Sequence, residues 1–153
     1  MKRFFLLVLA LFLCFFGCSQ QQESSDLLHR EFFEDQWERF DFVRNNIEVK
    51  SPTTYNLSMR ISFTDDYPYD MFSMVFTVFT DDDEPYRSKG YKFNLKDADG
   101  NWNADLNDGC HTFDLPINKA FQIMDAGTYC FQIENQMPIT PLVGVKELTL
   151  IRN

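Results

Sequence analysis

The chain has 153 residues, with 14 basic against 23 acidic side chains for a formal net charge of −9, and 17 phenylalanines dominate its aromatic content. That surplus of negative charge repels phosphate backbones and anionic headgroups, which speaks against nucleic acid as a partner and against electrostatic docking on a membrane. The length suits one domain with its own core, and the charge by itself is accounted for as the solubilising surface of a secreted protein.

The first eighteen residues carry an address. Met1-Lys2-Arg3 precedes an unbroken apolar run from Phe4 to Phe16, and Gly17-Cys18-Ser19 follows. A basic start, a short apolar segment and a small residue at the junction make residues 1–17 a signal peptide, with Cys18 where a bacterial lipoprotein is cut and acylated. As a helix the run spans about 20 Å, short of the roughly 30 Å hydrocarbon core of a bilayer, so a permanent span is the weaker reading. Phe15 and Phe16 depart from the usual junction, and Cys14 is a poorer acceptor because Leu13 precedes it. Cleavage removes Lys2 and Arg3, leaving a net charge of 12 − 23 = −11. Lipid on Cys18 would supply the membrane contact, since each buried CH₂ contributes about 0.8 kcal/mol. Residues 18–25, with three consecutive glutamines, read as a flexible tether reaching about 25 Å.

Residues 26–153 read as a single all-β domain. Its start is ambiguous: Leu28, Phe32, Phe33 and Trp37 fit helical spacing with Asp26 as a cap, whereas Phe40 and Phe42 alternate. A short helix or irregular lead-in is expected there, with a first strand near residues 40–44. From Tyr55 to Phe63 the pattern is a half-buried strand, with Tyr55, Leu57, Met59, Ile61 and Phe63 on one face. Phe72 to Phe79 is apolar on both faces, as a central strand would be. Tyr91–Leu95 and Tyr129–Ile133 alternate again. Val143–Ile151 makes a last strand in which Lys146-Glu147 interrupts the apolar face as a bulge would. Between these runs stand Ser51-Pro52, Tyr67-Pro68, Asp81 to Pro85, Asp99-Gly100, Ala126-Gly127 and Pro138 to Pro141. Short strands so punctuated predict an antiparallel β-sandwich of the jelly-roll kind.

Groups able to do chemistry are few. Asp97, Asp99, Asn101, Asn103 and Asp105 place oxygens at alternate positions, as calcium loops do, but Gly100 is fourth and Asp108 twelfth where a calcium loop has its glycine sixth and a glutamate twelfth. A β-turn at Asp99-Gly100 with Trp102 packing back is the competing reading. Cys110 and Cys130 could pair in an oxidising envelope, closing a loop at a gain of about 3 kcal/mol. Cys130 shares a strand face with Gln132 and Glu134. The histidines number two, His29 and His111, and His111 beside Cys110 would point to the opposite face of a strand, so neither a catalytic dyad nor a zinc signature emerges. The acid pairs at Asp65-Asp66 and Asp81–Asp83 sit in polar stretches where solvation explains them. No cofactor is indicated.

Aromatic residues beside turns are the remaining feature. Tyr67, Tyr69, Tyr86, Trp102 and Trp37 could cover the ends of the sandwich, anchor a partner protein or stack on sugar rings. The expected contact surface is the Asp65–Asp70 loop with Trp102, and Tyr86 is a further candidate.

Taken in order, Trp37, Tyr55-Asn-Leu57 with Arg60, Asp66-Tyr67-Pro68-Tyr69, Asp99-Gly100 followed by Trp102, Gly127-x-Tyr129, Phe131-x-Ile133-Glu134-x-x-Met137 and Val143-Gly144-Val145 resemble the GldH-type gliding motility lipoproteins of Bacteroidetes. The resemblance spans roughly residues 37–152. It departs after Trp102, where glycines are usual and Asn103-Ala104-Asp105 stands, and after Met137, where Pro138 replaces a basic residue. It implies a non-enzymatic cell-envelope lipoprotein, linked in gliding relatives to adhesin movement and secretion, with other envelope proteins as partners and no catalytic residues. Ser19 and the weakly acidic tether lean toward the outer membrane. A surface glycan-binding module is the alternative.

Overall fold

The computed structural model describes residues 25–153; the signal peptide, Cys18 and the tether before Ser25 lie outside the described residues. The strands are β1 (Asp26–Glu31), β2 (Gln36–Trp37), β3 (Val43–Val49), β4 (Thr53–Phe63), β5 (Met71–Phe79), β6 (Pro85–Asn94), β7 (Leu106–Asn107), β8 (Cys110–Ile123), β9 (Gly127–Asn135), β10 (Leu142–Val143) and β11 (Val145–Arg152). One sheet has the order β1-β11-β4-β8-β7 and the other β3-β9-β5-β6, while β2 and β10 form a small ribbon. Every pairing is antiparallel. With the two-residue strands set aside, the first, eighth, third and sixth long strands face the second, seventh, fourth and fifth, which is the paired Greek key of a jelly roll.

The alternating runs become strands for the reason their pattern suggests. Tyr55, Leu57, Met59, Ile61 and Phe63 of β4 are all buried, and Arg60 on the other face reaches solvent. β5 lies between β9 and β6, so its outward Val75, Thr77 and Phe79 are covered by neighbours within the sheet. In β11 the register against β4 shifts between Val145 and Glu147, the bulge expected at Lys146-Glu147.

The lead-in differs from expectation. Residues 26–31 are a strand on the edge of the first sheet, not a helix, and the first strand of the second sheet starts at Val43 instead of Phe40. A register shift between Asp26 and Leu28 lets both Leu27 and Leu28 turn inward, which breaks strict alternation and imitates helical spacing. A single 3-10 turn at Phe33–Asp35 follows, with Glu34 and Asp35 at φ of 53° and 54°, backbone that no α-helix continues.

Pairing registers define two ends. Glu31, Phe63, His111 and Val145 reach one end together with Met71, Asn94 and Asn135, and the segments 32–42, 64–70, 95–105 and 136–144 cap it. Asp26, Arg152, Thr53 and Ile123 reach the other, where the chain arrives at Ser25 and the shorter segments 50–52, 80–84 and 124–126 lie. We call these the loop end and the tether end. Cys110 and Cys130 are both free thiols. The bridge weighed from sequence is not made, because Cys110 stands at the loop end of one sheet and Cys130, opposite Phe79, toward the tether end of the other.

Candidate functional site

The loop end is organised by Phe63, the last residue of β4 and fully buried. Its ring meets Tyr67 (centroids 4.5 Å apart), Phe72 (5.7 Å), Phe113 (6.1 Å) and Trp102 (6.2 Å), so one side chain joins β4, β5, β8 and two loops. Trp102 is partly buried and engaged: the His111 imidazole stacks on it at 4.3 Å with a 12° interplanar angle, and the Lys96 ammonium lies over the indole at 4.5 Å. His111 Nδ1 is 2.9 Å from the Ala104 carbonyl oxygen and Nε2 is 3.0 Å from Asp65 Oδ1, so both ring nitrogens face acceptors. This clasp draws segments 64–70 and 95–105 onto β8.

Tyr67 is a packing residue, not the contact expected from sequence. Only 1% of it is exposed, and its hydroxyl donates to the Met71 carbonyl at 2.8 Å. Proline after it and acids before it suggested an open loop, but the ring folds back under that loop. Burial, with Tyr69 nearby as a lesser cause, pushes its phenol well above the ordinary tyrosine value of 10.0. A raised folded value means stability that is whole below about pH 10 and falls as pH rises through the folded value. Tyr67→Phe should therefore lose about 1 kcal/mol at neutral pH through the missing hydrogen bond, and soften the alkaline limb of a melting-temperature series. Tyr91 and Tyr129, also raised by burial, will keep part of that limb.

The other aromatic candidates scatter. Tyr69 is partly buried and meets Tyr67 edge-on at 5.9 Å. Tyr86 lies near the tether end, against Tyr129 at 5.4 Å, with its hydroxyl 3.3 Å from the Gln122 carbonyl oxygen. Trp37 is 1% exposed, stacks on Phe32 at 4.7 Å and donates its indole N–H to the Asp41 carbonyl at 2.7 Å. A sugar platform needs open ring faces, and Tyr67, Trp102 and Trp37 already have theirs against protein. Asp97 closes its own loop: Oδ1 accepts the amides of Asp99 and Asn101, each at 2.9 Å, and the Asn101 side chain holds the carboxyl below its usual range. With the Gly100 amide donating to the Asp97 carbonyl at 3.1 Å, those bonds close a tight turn over residues 97–101 that brings Trp102 back beside Lys96, and the oxygens of Asp97, Asp99 and Asp105 are not among the metal-ligand groups that converge in the described residues.

Sequence reasoning missed the exposed apolar residues of the same end. Phe33 is 83% exposed and Phe40 80%, joined at this end by Leu106 and Ile139, while among the described residues the remaining exposed large hydrophobic, Met124, lies at the tether end. Arg39 reaches across to Pro138 and Thr140, tying the Phe40 turn to the Ile139 segment. Phe33 fits helical spacing equally well, so its exposure depends on the 3-10 turn that sequence alone did not reveal.

The GldH lipoprotein family model matches residues 28–150, nearly all of the sandwich. The chain belongs to the GldH lipoprotein family. Membership makes it a gliding-motility-associated lipoprotein, and a lipoprotein is held at the cell envelope by its lipid. The motifs that carry the family pattern here are mostly packing: Trp37, Leu57, Tyr67, Tyr129, Phe131, Ile133, Met137 and Val145 are buried. Comparison with curated proteins gives no match. Among solved structures the chain is similar to one from a T13 IBDV viral particle, with 8% identity and a TM-score of 0.34, over 83% of this chain and 30% of that one.

Proposed function

We propose that this GldH-family protein is a non-enzymatic assembly component of the envelope, anchored through lipid on Cys18 and holding a partner protein at its loop end. The observation that carries this reading is the placement of the exposed Phe33, Phe40, Leu106 and Ile139 at one end of the sandwich, with the chain arriving at Ser25 at the other. A short tether from Cys18 to Ser25 keeps the tether end near the bilayer and presents the loop end away from it. Exposed aromatic side chains among polar loops are the anchors that protein interfaces use, and their burial is the main gain on association. The outer membrane is the favoured site of the anchor, on the strength of Ser19 after the acylated residue.

Phe33→Ser combined with Phe40→Ser tests the reading in the full-length lipoprotein. Both rings are exposed, so the melting temperature should stay within a few degrees of the parent. Anchors of this kind contribute about 2 kcal/mol or more each to a complex. Recovery of cross-linked envelope proteins should therefore fall more than about tenfold. Unchanged recovery with an intact fold refutes the loop end as the contact surface.

A further inference from the structure

A different face carries a second arrangement that packing does not explain. On the solvent side of the first sheet, His29 and Glu31 project from edge strand β1, and Glu147 projects from β11 beside them. One ligand atom from each lies within 4.8 Å of the others, and His29 Nε2 is 3.9 Å from Glu31 Oε1. Two ligand atoms of one tetrahedral zinc at about 2.0–2.2 Å are about 3.3–3.6 Å apart, so side-chain rotations that move each ligand atom by about 1 Å close the set.

Glu31 and Glu147 stand directly opposite each other in the β1–β11 ladder. Like charges in that position destabilise a sheet, so two carboxylates facing one another call for a cation between them. Arg60, two strands from β1 on the same face, is committed mainly to Asp114, with Nε 2.8 Å from Oδ1 and Nη2 3.1 Å from Oδ2; Glu147 and Asp26 are lesser influences on it. Arg30 is bonded to Asp41 at 2.7 Å. Neutral neighbours then orient two of the three groups. Thr149 Oγ1 holds His29 Nδ1 at 2.8 Å, and Ser62 Oγ donates to Glu147 Oε1 at 3.2 Å. With Nδ1 on the threonine, the remaining nitrogen of the ring is the one turned toward Glu31. Metal-binding histidines are fixed in this manner by a partner on the non-ligating nitrogen.

We propose that His29, Glu31 and Glu147 bind a divalent transition-metal ion of the zinc class on the edge of the sheet. An imidazole with two carboxylates suits zinc and its first-row neighbours better than calcium or magnesium, which take oxygen ligands. Three protein ligands leave a position for water. The ion would neutralise the Glu31–Glu147 pair and tie the edge strand to β11.

The test is a titration of the full-length lipoprotein in detergent, without a histidine tag, with zinc chloride alone. Saturable binding of one equivalent is expected, with movement of the His29 ring nitrogen signals in NMR and none at His111, whose nitrogens are both engaged. His29→Ala and Glu31→Gln should each weaken binding at least tenfold, while leaving the metal-free melting temperature within a few degrees of the parent. Thr149→Val, which removes only the orienting hydroxyl, should weaken it about tenfold. No saturable binding, or an affinity unchanged in His29→Ala because the thiols are the ligands, overturns the site.

Discussion

Gly144→Ala is expected to lower the urea midpoint of the protein more than alanine at Gly100 or Gly109 does. Gly144 links β10 to β11 at a φ of 79°, where an L side chain is strained. A Cβ at that position would lie 2.4 Å from the Tyr67 nitrogen, 2.7 Å from its Cα and 2.9 Å from its Cβ. Two of these atoms are backbone, and they are held: the Thr64 amide donates to the Gly144 carbonyl at 2.9 Å, and the Tyr67 amide to Thr64 at 3.1 Å. The loop cannot retreat without breaking those bonds and lifting Tyr67 out of the aromatic cluster. Conformational strain of about 1–3 kcal/mol and overpacking of about 1–3 kcal/mol together remove about 2–6 kcal/mol, a substantial part of the roughly 5–15 kcal/mol that holds a domain folded. Gly100 and Gly109 separate the two causes, since both have positive φ with nothing within 4 Å of a new Cβ. Alanine there should cost only the strain. If Gly144→Ala is no worse than Gly100→Ala, the close approach of the Tyr67 loop is wrong.

Phe63→Ala should lower stability by about 5 kcal/mol, at the upper end of the roughly 3–5 kcal/mol that losing a buried phenylalanine costs. Phe63 is 0% exposed and touches four rings that belong to four different segments, so no single neighbour can move to fill the space. Phe113→Ala is a useful comparison, since Phe113 is 8% exposed and solvent at its edge lets the site relax. Chemical unfolding followed by tryptophan fluorescence measures both, because Trp102 reports directly on the Phe63 cluster. Equal losses for the two variants would show that Phe63 is an ordinary core ring and not the hub of the loop end.

Alternation was enough to read β4, β5 and the bulge of β11, because in each a buried face repeats every second residue and neighbours on both sides enforce it. β1 escaped that reading because an edge strand is held on one side only and its register shift buries Leu27 and Leu28 in succession. Tyr67 was misjudged for another reason: proximity to proline or acidic residues describes the path of the backbone, and says nothing of whether a ring turns back beneath it. The grouping of His29, Glu31 and Glu147 depends on a contact between residues more than a hundred positions apart, set by the pairing of β1 with β11. A segment read as a helix or irregular lead-in does not place His29 and Glu31 on one strand face, and nothing local indicates which residue arrives opposite.

The route by which the chain enters the sandwich has a mechanical consequence. β1 runs from Ser25 straight toward the far loops and is bonded along its length to antiparallel β11. Tension between an N-terminal anchor and a load gripped at Phe33 or Phe40 therefore runs through the covalent backbone of β1 itself, in line with the strand, so the β1–β11 hydrogen bonds are neither sheared nor peeled open by it.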